Sequence, residues 1–399
     1  MSSSLDKMMA HRTVSYIRTF FYLISAFFLF VASSTASAQV YSTEAEHAIL
    51  IDVTSGATLY EHDADTPMPP ASMAKIMTLA VVFDALKRGE LSLKDGLLMS
   101  INAWRKGGGS SGGSTMFIDP KTETVSVEDL IRGVAIQSGN DASIVIAEGM
   151  AGNEESFATR MNTFAKSIGM TNSNFTNATG LPDPDQYTTA RDLSILGRHV
   201  IFEYPDLYKI YSEPEFTWNK IRQFNRNPLL KSNIGGDGIK TGFTKESGFG
   251  IVGSVVQGDR RLLLVINGLK TRKARSEEAR RMLSWGARSF ETKLIFPKGE
   301  VIGGAKVFGG TQGRVDVVAK RAVAVLLAKG TNGRLTARVQ YRGPLTAPIE
   351  AGQPVGKLIV KLDGKEISST EVFTNDDVEK GELHQRALDA IFELMIGWI

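Results

Sequence analysis

Three apolar runs, Ile239–Thr244, Phe249–Val256 and Arg261–Asn267, follow one another with only short turns between them, the last turn containing Gly258-Asp259. Strands joined that tightly pair with their neighbours in antiparallel fashion, so this part of the chain is a meander. His47–Asp52 and Thr58–Tyr60 read as a second hairpin around Thr54-Ser55-Gly56. Helices lie between the two. One runs from about Ser72 to Leu86 after Pro69-Pro70, which suit a helix entry. Another starts at Ser126-Val127-Glu128-Asp129. Its Val127, Leu130, Ile131, Val134 and Ala135 follow the spacing of a buried helical face. That helix ends at Ser138-Gly139-Asn140, and a further one starts near Asp141. Ser276–Phe290 reads as a helix that closes the unit. The pattern is α+β: an antiparallel sheet flanked by helices, over residues 39–290.

At 399 residues the chain exceeds one ordinary domain. Glu291–Pro297 reads as a linker, and residues 291–380 as a small all-β domain. There Leu335, Ala337, Val339 and Tyr341 alternate with polar residues. Asp363-Gly364 after Lys357–Leu362 marks a hairpin. Residues 381–399 read as an amphipathic helix. Leu388, Ile391, Phe392, Met395, Ile396 and Ile399 form its apolar stripe, and Glu382, Arg386, Asp389 and Glu393 the polar one. Such a helix lies in a membrane surface. At the other end, Lys7, Arg12 and Arg18 precede the apolar run Phe20–Ala32, and Ala36-Ser37-Ala38 fits a cleavage site. Residues 1–38 are therefore expected to be a signal peptide. Its apolar run is shorter than the roughly 20 residues a membrane span needs. The expected address is the periplasmic face of the cytoplasmic membrane, held peripherally.

Removing that leader takes away three cationic residues and Asp6, so 43 basic residues then face 42 acidic ones. That balance suggests no nucleic-acid partner. No cysteine is present, which excludes disulfides and thiol catalysis and leaves an exported protein to be stabilised by packing alone. His11, His47, His62, His199 and His384 show no metal-ligand spacing and read as structural or surface residues, so no metal or other cofactor is expected. Gly107–Ser114 lacks the Gly-Lys-Ser/Thr ending of a phosphate loop and reads as a flexible surface loop.

Three short motifs then carry chemistry: Ser72-Met73-Ala74-Lys75, Ser138-Gly139-Asn140 and Lys240-Thr241-Gly242. Singly they are common; Ser4-Leu5-Asp6-Lys7 and Ser100-Ile101-Asn102 fit the first two patterns as well. Their order and contexts set them apart. A serine hydroxyl needs a base in reach, and residues three apart share a helix face, so Ser72 is the expected nucleophile and Lys75 its base. Burial and a second cation push a lysine pKa down, and Lys240 is the expected cation. Ser138 is expected to pass a proton to the leaving amine. Asn140 is expected to hold both Lys75 and a substrate carbonyl. Lys240, Thr241 and Gly242 on a strand edge suit an extended peptide: Gly242 for close approach, Thr241 to donate to a carboxylate, Lys240 for positive charge. The amides of Phe243 and Ser72 are expected to form an oxyanion hole.

With these motifs, and with Pro70–Thr78, Gln137–Ala142, Thr189-Ala190-Arg191-Asp192 and Asp237–Thr244 around them, the chain resembles the low-molecular-mass penicillin-binding proteins that are D-alanyl-D-alanine carboxypeptidases. The branch is the one with a C-terminal β domain and an amphipathic anchor. The resemblance implies a β-lactamase/transpeptidase-like fold and an acyl-serine enzyme without cofactor. Such an enzyme removes the terminal D-alanine from peptidoglycan stem pentapeptides and is trapped covalently by β-lactams. It also implies that Arg275 lies near the substrate carboxylate. The polar face of the C-terminal helix departs from a basic anchor. Two other readings compete. A class A β-lactamase deacylates through a glutamate between the second and third motifs, but no glutamate occurs between Glu155 and Glu203; that stretch holds only Asp183 and Asp185 in the Leu181–Tyr187 loop. A non-catalytic peptidoglycan-binding scaffold would not need Ser72, Lys75, Ser138 and Lys240 intact.

Overall fold

The computed structural model describes residues 41–258, 260–383 and 386. The signal peptide expected over 1–38 lies outside the described residues, as does the helix expected over 381–399 except for residues 381–383 and 386. Among the described residues no helix is long and apolar enough to cross a membrane.

Strands β1 (His47–Asp52) and β2 (Thr58–His62) form the opening hairpin. Helices α1 (Lys75–Lys87), α2 (Val127–Arg132), α3 (Asn140–Ala151), α4 (Glu154–Ser167) and α5 (Ala190–Glu203) follow. The meander is β3 (Gly236–Thr244), β4 (Gly248–Gln257) and β5 (Arg260–Leu269), closed by α6 (Arg272–Ser289). All pairings are antiparallel and the strand order is β2-β1-β5-β4-β3. The hairpin at the start of the chain thus completes the sheet begun two hundred residues later, and β3 is left as an edge.

The apolar stripes read from the sequence are buried: Val127, Leu130, Ile131, Val134 and Ala135 join Ile76, Leu79 and Phe83 of α1 in one core with Ile49 and Val265 of the sheet. Local signals set the helix ends. Ser126 accepts a hydrogen bond from the Asp129 amide, Asn153 from Ser156, Thr189 from Asp192 and Thr271 from Ala274, each satisfying an otherwise free first-turn donor. Ser100 does the same for Ala103, so the second Ser-x-Asn-like triplet is a helix cap. The α6 helix begins at Arg272, four residues earlier than its apolar pattern suggests, because Thr271 caps it.

The expected linker over Glu291–Pro297 is instead mostly strand. Here β6 (Phe290–Phe296) follows α6 without a gap and pairs with β9 (Val323–Ala328). Its charged residues and exposed face mask its alternation. The remaining strands are β7 (Val301–Phe308), β8 (Arg314–Val318), β10 (Leu335–Tyr341), β11 (Leu345–Thr346), β12 (Pro354–Leu362) and β13 (Lys365–Thr374). They form a six-stranded sheet in the order β10-β12-β13-β8-β7-β11. A two-residue turn, Asp363-Gly364, joins β12 to β13. This all-β region has its own core of Val307, Val317, Val325, Leu358, Val360 and Val372.

Candidate active site

Ser72 does not sit in an α-helix. Residues Ala71–Ala74 form a 3-10 turn, and α1 begins at Lys75. With three residues per turn, positions i and i+3 eclipse, which sets Ser72 over Lys75 more directly than an α-helix would. The Lys75 ammonium donates to Ser72 Oγ at 3.3 Å, to Asn140 Oδ1 at 2.7 Å and to the Thr179 carbonyl. Lys75 is completely buried, and burial pulls its pKa down to about 7, helped by the Arg226 charge and opposed by Asp141. A lysine near pKa 7 is half neutral at neutral pH and can take a proton from Ser72.

Ser138 ends a π-helical turn, Gly133–Gln137, and is held at φ 68°. A non-glycine residue in that region is strained, and the strain aims a short side chain that a relaxed helix end would turn elsewhere. Ser138 Oγ is buried and without a partner among the described residues, at the wall of a cavity of about 610 Å³ that Ser72 also lines. An orphaned hydroxyl beside a nucleophile is free to bond an incoming group. Asn140 opens α3, and Asp141 beside it ties down the preceding loop, accepting from the Thr115 hydroxyl at 2.7 Å and the Met116 amide at 2.8 Å.

The edge strand β3 supplies Lys240, Thr241, Gly242 and Phe243. Gly242 is required by contact: a Cβ there would stand 3.1–3.2 Å from Met73, Ala71 and the Pro70 carbonyl, so any side chain would push the strand off the Ser72 turn. Lys240 is buried and donates to the Thr241 carbonyl at 3.2 Å. Its pKa is pushed well down by burial first, then by Lys75, Arg226 and Arg275. Phe243 is half exposed and stacks on Phe249 with ring centres 4.1 Å apart. Arg275, in the first turn of α6, is buried against the Phe249 ring, and its Nε has no partner among the described residues. Burial and Arg272 lower its pKa to about 10.

All nine residues singled out by motif therefore surround one cavity or its floor, but the sequence reading missed three others. Arg226, not Lys240, is the cation whose field lowers Lys75. The physical reason is that Lys240 is itself buried and pushed toward neutrality, whereas a guanidinium keeps its charge. Arg226 follows a small hairpin, Glu215–Trp218 with Ile221–Phe224, and lines the cavity. It donates to Ser114 Oγ, while the Ser114 carbonyl accepts the Asn140 amide at 2.8 Å. Ser114 closes the Gly/Ser stretch expected to be a flexible surface loop; residues 109–112 of it are exposed, but Ser114 is part of the cavity wall because Arg226 and Asn140 hold it there. Thr179 contributes only a carbonyl, for which side-chain identity carries no signal. Along with Arg226 and Arg275, Lys231 and Arg272 line the cavity, and no carboxylate does. The arrangement joins a hydroxyl, a near-neutral amine and a cationic pocket, which together suit acyl transfer from a substrate that ends in an anion.

Comparison with known proteins agrees with this chemistry. A profile of the D-alanyl-D-alanine carboxypeptidase family matches residues 32–271, and one of the penicillin-binding protein 5 C-terminal domain matches residues 290–380. D-alanyl-D-alanine carboxypeptidase DacC of Escherichia coli is 41% identical over 94% of this chain and 95% of its own length. The crystal structure of penicillin binding protein 5 from Haemophilus influenzae superposes with a TM-score of 0.77 at 39% identity, covering 85% of this chain and 99% of that one. Penicillin-binding protein D2 from Listeria monocytogenes in its ampicillin-bound form superposes with a TM-score of 0.56 at 29% identity, over 62% of this chain and 98% of that one.

Proposed function

The chain belongs to the D-alanyl-D-alanine carboxypeptidase family of penicillin-binding proteins, and on that premise we propose that Ser72 is its acylating nucleophile and Lys75 the general base. The enzyme is a serine-type carboxypeptidase that removes the terminal D-alanine from peptidoglycan pentapeptides and is acylated by penicillin. The observation that carries the residue assignment is the buried Lys75 amine, with a pKa near 7, in hydrogen-bond contact with Ser72.

In the proposed reaction Ser72 Oγ attacks the carbonyl carbon of the penultimate D-alanine, and its proton goes to Lys75. The amides of Ser72 and Phe243 receive the oxyanion. As the C–N bond breaks, Ser138 passes a proton to the leaving nitrogen and free D-alanine departs. Asn140 holds Lys75 through its Oδ1 and offers its amide NH₂ to the substrate carbonyl. Thr241 and Arg275 grip the terminal carboxylate, with Lys240 adding positive charge. Water then attacks the ester and returns Ser72. A β-lactam acylates the same serine, but its leaving group stays tethered. The Leu181–Tyr187 loop offers no glutamate for fast deacylation, so the adduct persists.

Intact-protein mass spectrometry with benzylpenicillin, together with D-alanine release from a pentapeptide, tests this. A persistent adduct and D-alanine release are expected from the wild type, and neither from Ser72→Ala. An adduct on Ser72→Ala would remove Ser72 from the mechanism, and an adduct lost within seconds would favour a β-lactamase.

We further propose that the protein is exported and held peripherally on the periplasmic face of the membrane through the stripe Leu388, Ile391, Phe392, Met395, Ile396 and Ile399. A chain ending at residue 380 should move from the membrane fraction to the soluble fraction; equal partitioning of both forms would refute the anchor.

A further inference from the structure

The cations of the active site lie on one side of Ser72. On the other side runs a second groove of about 440 Å³. The two meet at two places in the chain. Pro70 and Ala71 line the groove while Ser72 lines the catalytic cavity, and on β3 Thr241, Gly242 and Phe243 line the cavity while Thr244 lines the groove. A peptide extended along β3 with its terminal carboxylate at the cationic end must therefore run its acyl side toward this groove. At about 3.3 Å per residue, the residue two places before the C-terminus falls about 7 Å along the strand, between Phe243 and Thr244. In a stem pentapeptide that is the third residue.

The groove's chemistry differs from that of the cavity. Its walls are apolar, with Pro67, Pro70 and Pro184 beside the half-exposed Leu181 and Tyr187. Two carboxylates, Asp183 and Glu246, also line it, and no lysine or arginine does; Lys245, next to Glu246 in the chain, is exposed outside the lining. The wall is built in advance. Gln186 and Asn177 donate to the Leu181 carbonyl at 2.8 and 3.1 Å, and the same loop gives the Thr179 carbonyl to Lys75. An apolar trough ending in negative charge fits a long aliphatic side chain that ends in a cation.

We propose that this groove is the subsite for the third stem residue and that Asp183 and Glu246 select an amine-bearing side chain there. The inference rests on the carboxypeptidase reading and adds to it the residues that set substrate preference. The site is thus polarised along the peptide, cationic where the substrate carries its carboxylate and anionic where it carries its amine.

The test compares kcat/KM for D-alanine release from Nα-acetyl-L-Lys-D-Ala-D-Ala and from its Nα,Nε-diacetyl counterpart, which lacks the charge. With the full mature chain the free amine should be favoured about fivefold, the size of one partly exposed ion pair. The ratio should fall as salt is raised and approach one in the double variant Asp183→Asn, Glu246→Gln, with the diacetyl peptide as internal reference. A ratio of one in the wild type overturns the inference while leaving the carboxypeptidase reading intact. A preference that survives in the double variant overturns it too, since that preference would come from the size of the acetyl group. Release of D-alanine from neither peptide would bring down the carboxypeptidase reading and this inference with it.

Discussion

A lysine can serve as a base only if its proton is cheap to remove, and in Lys75 two causes act in the same direction. Burial disfavours the ammonium, and Arg226 repels it; Asp141 pulls the other way. Arg226 is therefore a positioning and tuning residue, tied to Lys75 through Ser114 and Asn140. Because the neutral amine is the active form, kcat/KM should rise as pH passes upward through about 7. In Arg226→Gln the lysine loses a repelling charge and its pKa rises, so the acidic limb should move to higher pH, with rate recovered at alkaline pH. A limb that stays in place, or an activity lost equally at every pH, would mean that Arg226 only grips substrate. Ser72, Lys75, Ser138, Asn140 and Lys240 were legible in the sequence because each lies in a short motif whose spacing carries meaning. Arg226 was not, because it stands 151 positions from Lys75, in a loop without periodicity.

At the scale of elements, what the sequence hid was how one segment presses on another. The 3-10 turn carrying Ser72 is wedged between β3 and the Thr179-Gly180 turn. Gly180 has φ 76°, and a Cβ there would lie 1.9 Å from the Ala71 carbonyl oxygen. Gly180→Ala must therefore move either the nucleophile's turn or the Thr179 carbonyl that holds Lys75. Gly152 is the control: its φ is 81°, but nothing lies within 4 Å of its would-be Cβ, so Gly152→Ala adds only backbone strain of about 1 kcal/mol. We expect the Gly180 variant to be acylated by benzylpenicillin more than tenfold more slowly, and the Gly152 variant at close to the wild-type rate. Stopped-flow acylation of the two checks this, and equal rates would show that the turn yields without disturbing catalysis. Helix and strand positions were readable from apolar spacing, as with Val127 through Ala135. The 3-10 turn was not, because its four residues carry no period, and β6 passed for a linker because Glu291 and Lys293 interrupt it.

Over the whole molecule, the sheet of the serine-bearing region and the all-β region are joined by a polar seam centred on Asp52. This carboxylate, fully buried at the end of β1, accepts from Arg260 at 3.0 Å and from the Thr292 hydroxyl on β6. Arg260 also donates to the Phe290 carbonyl at 2.6 Å and the Gly286 carbonyl at 3.2 Å, so one guanidinium links β5, the end of α6 and the start of β6. Arg321 makes a second crossing to Glu203 at 2.8 Å, partly exposed and worth little. None of this could be read from the chain, since Asp52, Arg260 and Thr292 are separated by up to 240 positions and each looks ordinary alone. The seam makes a graded prediction. Thr292→Val removes one hydrogen bond across it and leaves the ion pair, a loss of about 1 kcal/mol. Asp52→Ala leaves Arg260 buried without its counter-charge, which costs about 3 kcal/mol or more. The unfolding midpoint of Asp52→Ala should then fall by roughly 5–10 °C, several times the drop for Thr292→Val. Calorimetry of both variants decides it. If the two drops are equal, the Arg260 charge is neutralised by its carbonyl partners and Asp52 acts only as a hydrogen-bond acceptor for β6.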